Sequence, residues 1–131
     1  MIPKLLPFAT FVVLGQFAVV IWHLLLLVKV QPNTPRIALL LLVVINLIPV
    51  AALVVFAKGH HRLAGLLIVV PFGVALAIGS YTHFLSAGTD NVFRMPPGEL
   101  RLPFQVSAVL LAVLETAGCW IGLRMFIHGR K

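Results

Sequence analysis

Glu115 constrains the chemistry of this chain more than any other residue. It is the only formally charged side chain within the chain's long apolar stretches. An ionisable group at membrane depth costs about 2.5–3.5 kcal/mol on insertion scales. A carboxyl there must keep its proton or find a partner, because an unpaired buried charge is poorly tolerated. Either condition suits it to carry a proton, balance a cation or hold a ligand. At helical spacing, Ala108, Ala112, Cys119 and Gly122 share its face. Stripes of small residues let helices approach closely, so this one should turn Glu115 toward other helices and away from lipid.

Other polar residues interrupt the apolar stretches. Gln16 and His23 are seven residues apart and so share a helical face. Asn46 comes shortly before Pro49, and Ser80, Tyr81, Thr82 and His83 are consecutive. Counted along each stretch at 1.5 Å per residue, Gln16, Asn46 and Glu115 fall near the bilayer midplane. His23, Ser80 and Tyr81 lie roughly 8–9 Å further out, and His83 about one turn beyond them. These residues form a column from the bilayer centre to one face, and the opposite half is almost free of polar groups.

Two uses of the column differ in what they require. Gln16, Asn46 and Glu115 could fasten helices by hydrogen-bonding one another, at about 0.6 kcal/mol per contact. A glutamine would do that at lower insertion cost, so the carboxyl favours a pocket or a proton-accessible site. Its candidate residues are Gln16, His23, Asn46, Ser80, Tyr81, His83 and Glu115. His23 and His83 also suit an interfacial belt with Trp22 and Tyr81. As bis-histidine haem ligands on parallel, diagonally placed helices they would need equal depth, and their offset argues against haem. His23 and His83 with Asp90 or Glu115 lack tight metal-ligand spacing, so no metal and no cofactor is assigned. Cys119 is the single cysteine, which excludes an intrachain disulfide and a Cys-x-x-Cys motif. No Walker motif, nucleophile elbow or His-Glu-x-x-His pattern is present.

The elements that must position these residues are read from hydropathy. Hydrophobic residues make up 61% and charged residues 10% of the 131 positions, against about 45–50% and about 25% in ordinary globular chains. Four apolar runs, 5–28, 37–57, 63–86 and 104–123, are each long enough to cross a hydrocarbon core of about 30 Å. The expected fold is a single domain, 1–131, an all-α integral membrane protein folded as a four-transmembrane-helix bundle. The first run is too long for a signal-peptide core and reads as a retained helix. The connection 87–103 is long and contains Phe93, Met95 and Pro96-Pro97-Gly98. It is expected to cap the bundle or to dock on a neighbouring subunit.

Charge sets the expected orientation. Lys4, Lys58, Arg62, Arg124, Arg130 and Lys131 fall on one side and Lys29, Arg36, Arg94 and Arg101 on the other. The richer side should face the cytoplasm, giving N-in and C-in termini in a cytoplasmic or inner membrane, with the long loop outside. The net charge of +7 is then topological, and nucleic acid is not an expected partner. The expected partners are the lipid bilayer and a membrane protein or second copy of the chain. Three functions fit, in descending order. One is a non-catalytic subunit or binder holding a small hydrophobic or amphipathic ligand in a column open to the outer leaflet. The second is an intramembrane isomerase or redox enzyme using Glu115 with His23 or His83. The third is a proton-coupled transporter.

Overall fold

The computed structural model describes residues 2–129, all of whose regular structure is helical. A short 3-10 turn, Ile2–Leu5, leads into α1 (Leu6–Val30), α2 (Arg36–Ala57) and α3 (His61–Ser80). A π turn, Tyr81–Leu85, prolongs α3, and α4 spans Arg101–His128. Four helices are long and apolar enough to cross a membrane, as in a multi-pass membrane protein. Their outward faces carry Phe11, Leu25, Ile37, Val113 and Ile127, all exposed. Water would not solvate such a surface, and lipid does. Arg130 and Lys131, counted above toward the orientation, lie outside the described residues.

Local chemistry sets the breaks. Pro32 and Pro35 deny the chain between α1 and α2 its helical hydrogen bonds. Between α2 and α3 the chain turns at Gly59, whose φ of 87° a side chain would resist. The helix α4 begins three residues before the expected run. Pro103 lies in its first turn, where the missing N–H has no partner to lose. The third apolar run keeps its length but changes its hydrogen bonding near the end. Ser86 N–H donates to Tyr81 O at 2.7 Å, an i to i+5 bond.

Neighbouring helices are antiparallel, with α1 and α3 each packed on α4, and α2 packed on both. The tightest seam joins α3 to α4. A methyl at Gly65 would strike the backbone of Gly122 and Phe126, and one at Gly122 would strike the backbone of Val69. The backbones can approach this closely only because neither residue has a Cβ.

The bundle has two unlike halves. Near the termini Val12, Val13, Ala52, Phe56, Ile68, Phe72 and Ile121 form a continuous apolar core. Toward the other end Leu26, Phe104 and Ala108 pack with Val92 and Met95 of the long connection, which therefore folds back over the bundle. Asn91 anchors it: the side-chain amide donates to Ser86 O at 2.7 Å and its oxygen accepts from Phe93 N–H at 2.9 Å. Gln31 donates to Thr89 Oγ1, tying the same segment to the end of α1. The buried residues of α2 are Pro49, Ala52 and Phe56, all in its second half. Its first half rests on α1 through Leu39 and Val43.

Candidate functional site

Three helices and the π turn bring the polar groups together. Gln16 of α1 is 2% exposed and Glu115 of α4 is 5% exposed, and Gln16 Nε2–H donates to Glu115 Oε1 at 3.0 Å. The opposite atom of the same amide, Gln16 Oε1, is buried without a partner. The expected face of α4 is right in direction but shifted by one residue: Gly118 is buried and Cys119 only half-buried.

His23 and His83 are both buried, and their ring centroids stand 4.8 Å apart in an edge-to-face contact. The two rings thus meet despite the expected offset of about one turn. A macrocycle coordinated by both rings would have to stand between them, and the contact leaves no slot for one. Phe104 packs against both imidazoles, at 4.7 and 5.7 Å between centroids. Among the described residues no three His, Cys, Asp or Glu side chains are close enough to share a metal ion.

The hydrogen-bond network assigns the protons on these rings. Ser107 Oγ–H donates to Phe104 O at 2.8 Å, which uses the only proton of the hydroxyl. His23 Nδ1, 2.8 Å from the same Oγ, must then be the donor. His83 Nδ1 faces Asp90 O at 3.1 Å, and a carbonyl can only accept. In a neutral imidazole one nitrogen carries the hydrogen and the other a lone pair. Both rings thus keep a bare Nε2. Unused lone pairs remain on Glu115 Oε2, Gln16 Oε1 and the two imidazole Nε2 atoms, and the amides of Gln16 and Asn46 each keep one N–H.

Glu115 and the two imidazoles, but not Gln16, border a cavity of about 230 Å³, larger than the roughly 150 Å³ that accommodates a benzene. Its walls are mainly apolar and come from all four helices and the long connection. Glu115, His23, His83 and Asn46 are the site residues expected from sequence that line it. Gly79 is where the two halves of the site meet. A methyl there would stand 3.7 Å from Glu115 Oε2 and 3.9 Å from His83 Cδ2, so carboxyl and imidazole flank the same spot. The cavity also reaches outward between α2 and α3. Leu42 and Ile45 on one side and Val74 and Ile78 on the other line it while staying partly exposed on the lipid-facing surface.

Some expected residues are placed otherwise than expected. Asn46 donates to Leu42 O at 2.7 Å in its own helix and bonds neither Gln16 nor Glu115. Tyr81 is 61% exposed. Neither Tyr81 nor Ser80 is among the cavity-lining residues. Helical spacing explains this: Ala75, Gly79 and His83, with Ile78 and Thr82 beside them, share one face, and Ser80 and Tyr81 fall outside it. Sequence reasoning missed Thr82 and Ser107. Ser107 was visible, being polar in an apolar run and eight residues before Glu115 on the same face. Nothing in the sequence marks the π turn.

Comparison with protein-family models, with curated proteins and with solved structures found no match for this chain.

Proposed function

We propose that the chain is a membrane-embedded binder, alone or as the ligand-holding subunit of a larger assembly, for a small amphipathic molecule that reaches it from the lipid phase. One observation carries this reading: a mainly apolar cavity bordered by a buried carboxyl and two buried imidazoles, with a cleft toward lipid between α2 and α3. Apolar walls with a few convergent polar groups are the usual make-up of a small-molecule site. Helix fastening alone would leave Gln16 Oε1 better satisfied and would need no cavity. Transport requires a route through the other half, where Val12, Ala52, Phe56, Ile68 and Phe72 are packed together. Binding is therefore favoured over transport.

The finer topology belongs to the same proposal. Both termini and the α2–α3 turn face the cytoplasm, and the segment 86–100 faces outward. On this reading the cleft opens at the level of the outer leaflet.

The test uses 4-fluorobenzyl alcohol and ¹⁹F NMR with the protein in phosphatidylcholine nanodiscs, empty nanodiscs serving as the partition blank. Saturable binding above the blank is expected, and Ala112→Phe, which fills the cavity from its wall, should abolish it. Identical signals from protein-loaded and empty discs would contradict the proposal.

A further inference from the structure

The polar groups of the cavity are unbalanced in one direction. A buried site normally pairs donors with acceptors, because each unmade hydrogen bond in a low-dielectric interior is expensive. Here Ser107 and Asp90 O take the Nδ1 protons of His23 and His83, leaving bare Nε2 atoms on two rings that line the cavity. Gln16, which does not itself line the cavity, gives one amide N–H to Glu115 Oε1 and retains an unsatisfied oxygen. No lysine or arginine is among the cavity-lining residues, and Glu115 Oε2 flanks the same spot beside Gly79 as the His83 ring. What the site lacks is a donor with positive charge.

We infer that the ligand is a lipophilic amine, whose ammonium group lies beside Gly79 between Glu115 Oε2 and His83 and whose apolar body extends toward the cleft formed by Leu42, Ile45, Val74 and Ile78. This rests on the binding reading given above. An ammonium brings three N–H donors to a set of acceptors, and its charge is balanced by the carboxyl. A hydroxyl brings one donor and no charge. A carboxylate or phosphate would set a second negative charge beside Glu115 with no lysine or arginine in the lining to balance it. The cavity volume limits the body to a substituted ring or a short branched chain rather than a full lipid.

Three probes of nearly equal shape separate charge, donor and bulk: 4-fluorobenzylamine, 4-fluorobenzyl alcohol and 4-fluorotoluene. Dissociation constants are measured by ¹⁹F NMR in phosphatidylcholine nanodiscs at neutral pH, each corrected for partition into empty discs. The amine should bind at least about tenfold more tightly than the alcohol, since charge-assisted hydrogen bonds are roughly twice as strong as neutral ones. The toluene should bind most weakly. In Glu115→Gln, which keeps the shape of the side chain, the preference for amine over alcohol should collapse while the alcohol still binds. Gly79→Ala offers a second variant, because its methyl meets the neighbouring groups at ordinary contact distance. It should keep the wild-type melting temperature and weaken the amine by about tenfold. Alcohol binding equal to or tighter than amine binding, or an amine preference that survives in Glu115→Gln, would overturn the inference and leave the binding reading standing. Absence of saturable binding by all three probes would overturn both.

Discussion

The chemistry offered by the two histidines is decided by their neighbours. Ser107 cannot give its proton to His23, because Phe104 O already has it, and Asp90 O can give none to His83. Both rings should therefore carry hydrogen on Nδ1 and a lone pair on Nε2. ¹⁵N chemical shifts of histidine-labelled protein check this directly, with the expected pattern one protonated Nδ1 and one bare Nε2 for each residue. Protonated Nε2 on either ring would remove that ring from the acceptor set. Ser107→Ala should release the tautomer of His23 and lower stability by about 1 kcal/mol, the usual value of a buried hydrogen bond. Glu115 and Gln16 were legible from sequence as a midplane pair, since a polar residue in an apolar run has few places to go. The distinction between Asn46, bonded within its own helix, and Gln16, bonded to Glu115, was not. The carbonyl four residues back is within reach of a short polar side chain in any helix, so the residue type alone does not decide between the two partners.

At the level of elements, two glycines of α3 serve opposite purposes. Gly65 stands against the backbone of α4, and Gly79 has room for a methyl beside the cavity. Gly65→Ala should destabilise the fold by about 1–3 kcal/mol through overpacking, seen as a lower melting temperature. Gly79→Ala should not lower it, since alanine is the better helix former by up to about 1 kcal/mol. Equal effects of the two substitutions would mean that the α3–α4 seam is not where the helices meet most closely. The segment 86–100 is a structured cap held through buried Asn91, Val92 and Met95. Asn91→Ala removes both of its side-chain bonds and should speed amide hydrogen exchange across 86–100 while leaving α4 protected. The existence and approximate bounds of the four helices were readable from hydropathy alone, because lipid demands long apolar runs. The π turn was not, since a change from i to i+4 to i to i+5 bonding leaves composition untouched.

At the level of the whole molecule, the asymmetry between an apolar half and a half with polar groups gives orientation its functional meaning. Cysteines placed at His60 and at Gly98, both exposed, in a Cys119→Ser background report on the two ends. An impermeant maleimide applied to intact cells should label position 98 and spare position 60. Labelling of position 60 alone would put the cleft in the cytoplasmic leaflet, with the site otherwise unchanged. The binding of a small molecule between α2 and α3 is tested most directly by locating that molecule. Protein labelled with ¹³C-isoleucine is loaded with 4-fluorobenzylamine in lipid, and ¹³C–¹⁹F dipolar dephasing is measured by solid-state NMR. Ile45 and Ile78 line the cavity, whereas Ile37 and Ile127 are 63% and 61% exposed and are not among its lining residues. Dephasing of the Ile45 and Ile78 methyls with none at Ile37 and Ile127 is the expected result. Uniform dephasing of all four, the pattern of a probe dissolved in the surrounding lipid, would contradict the existence of the site.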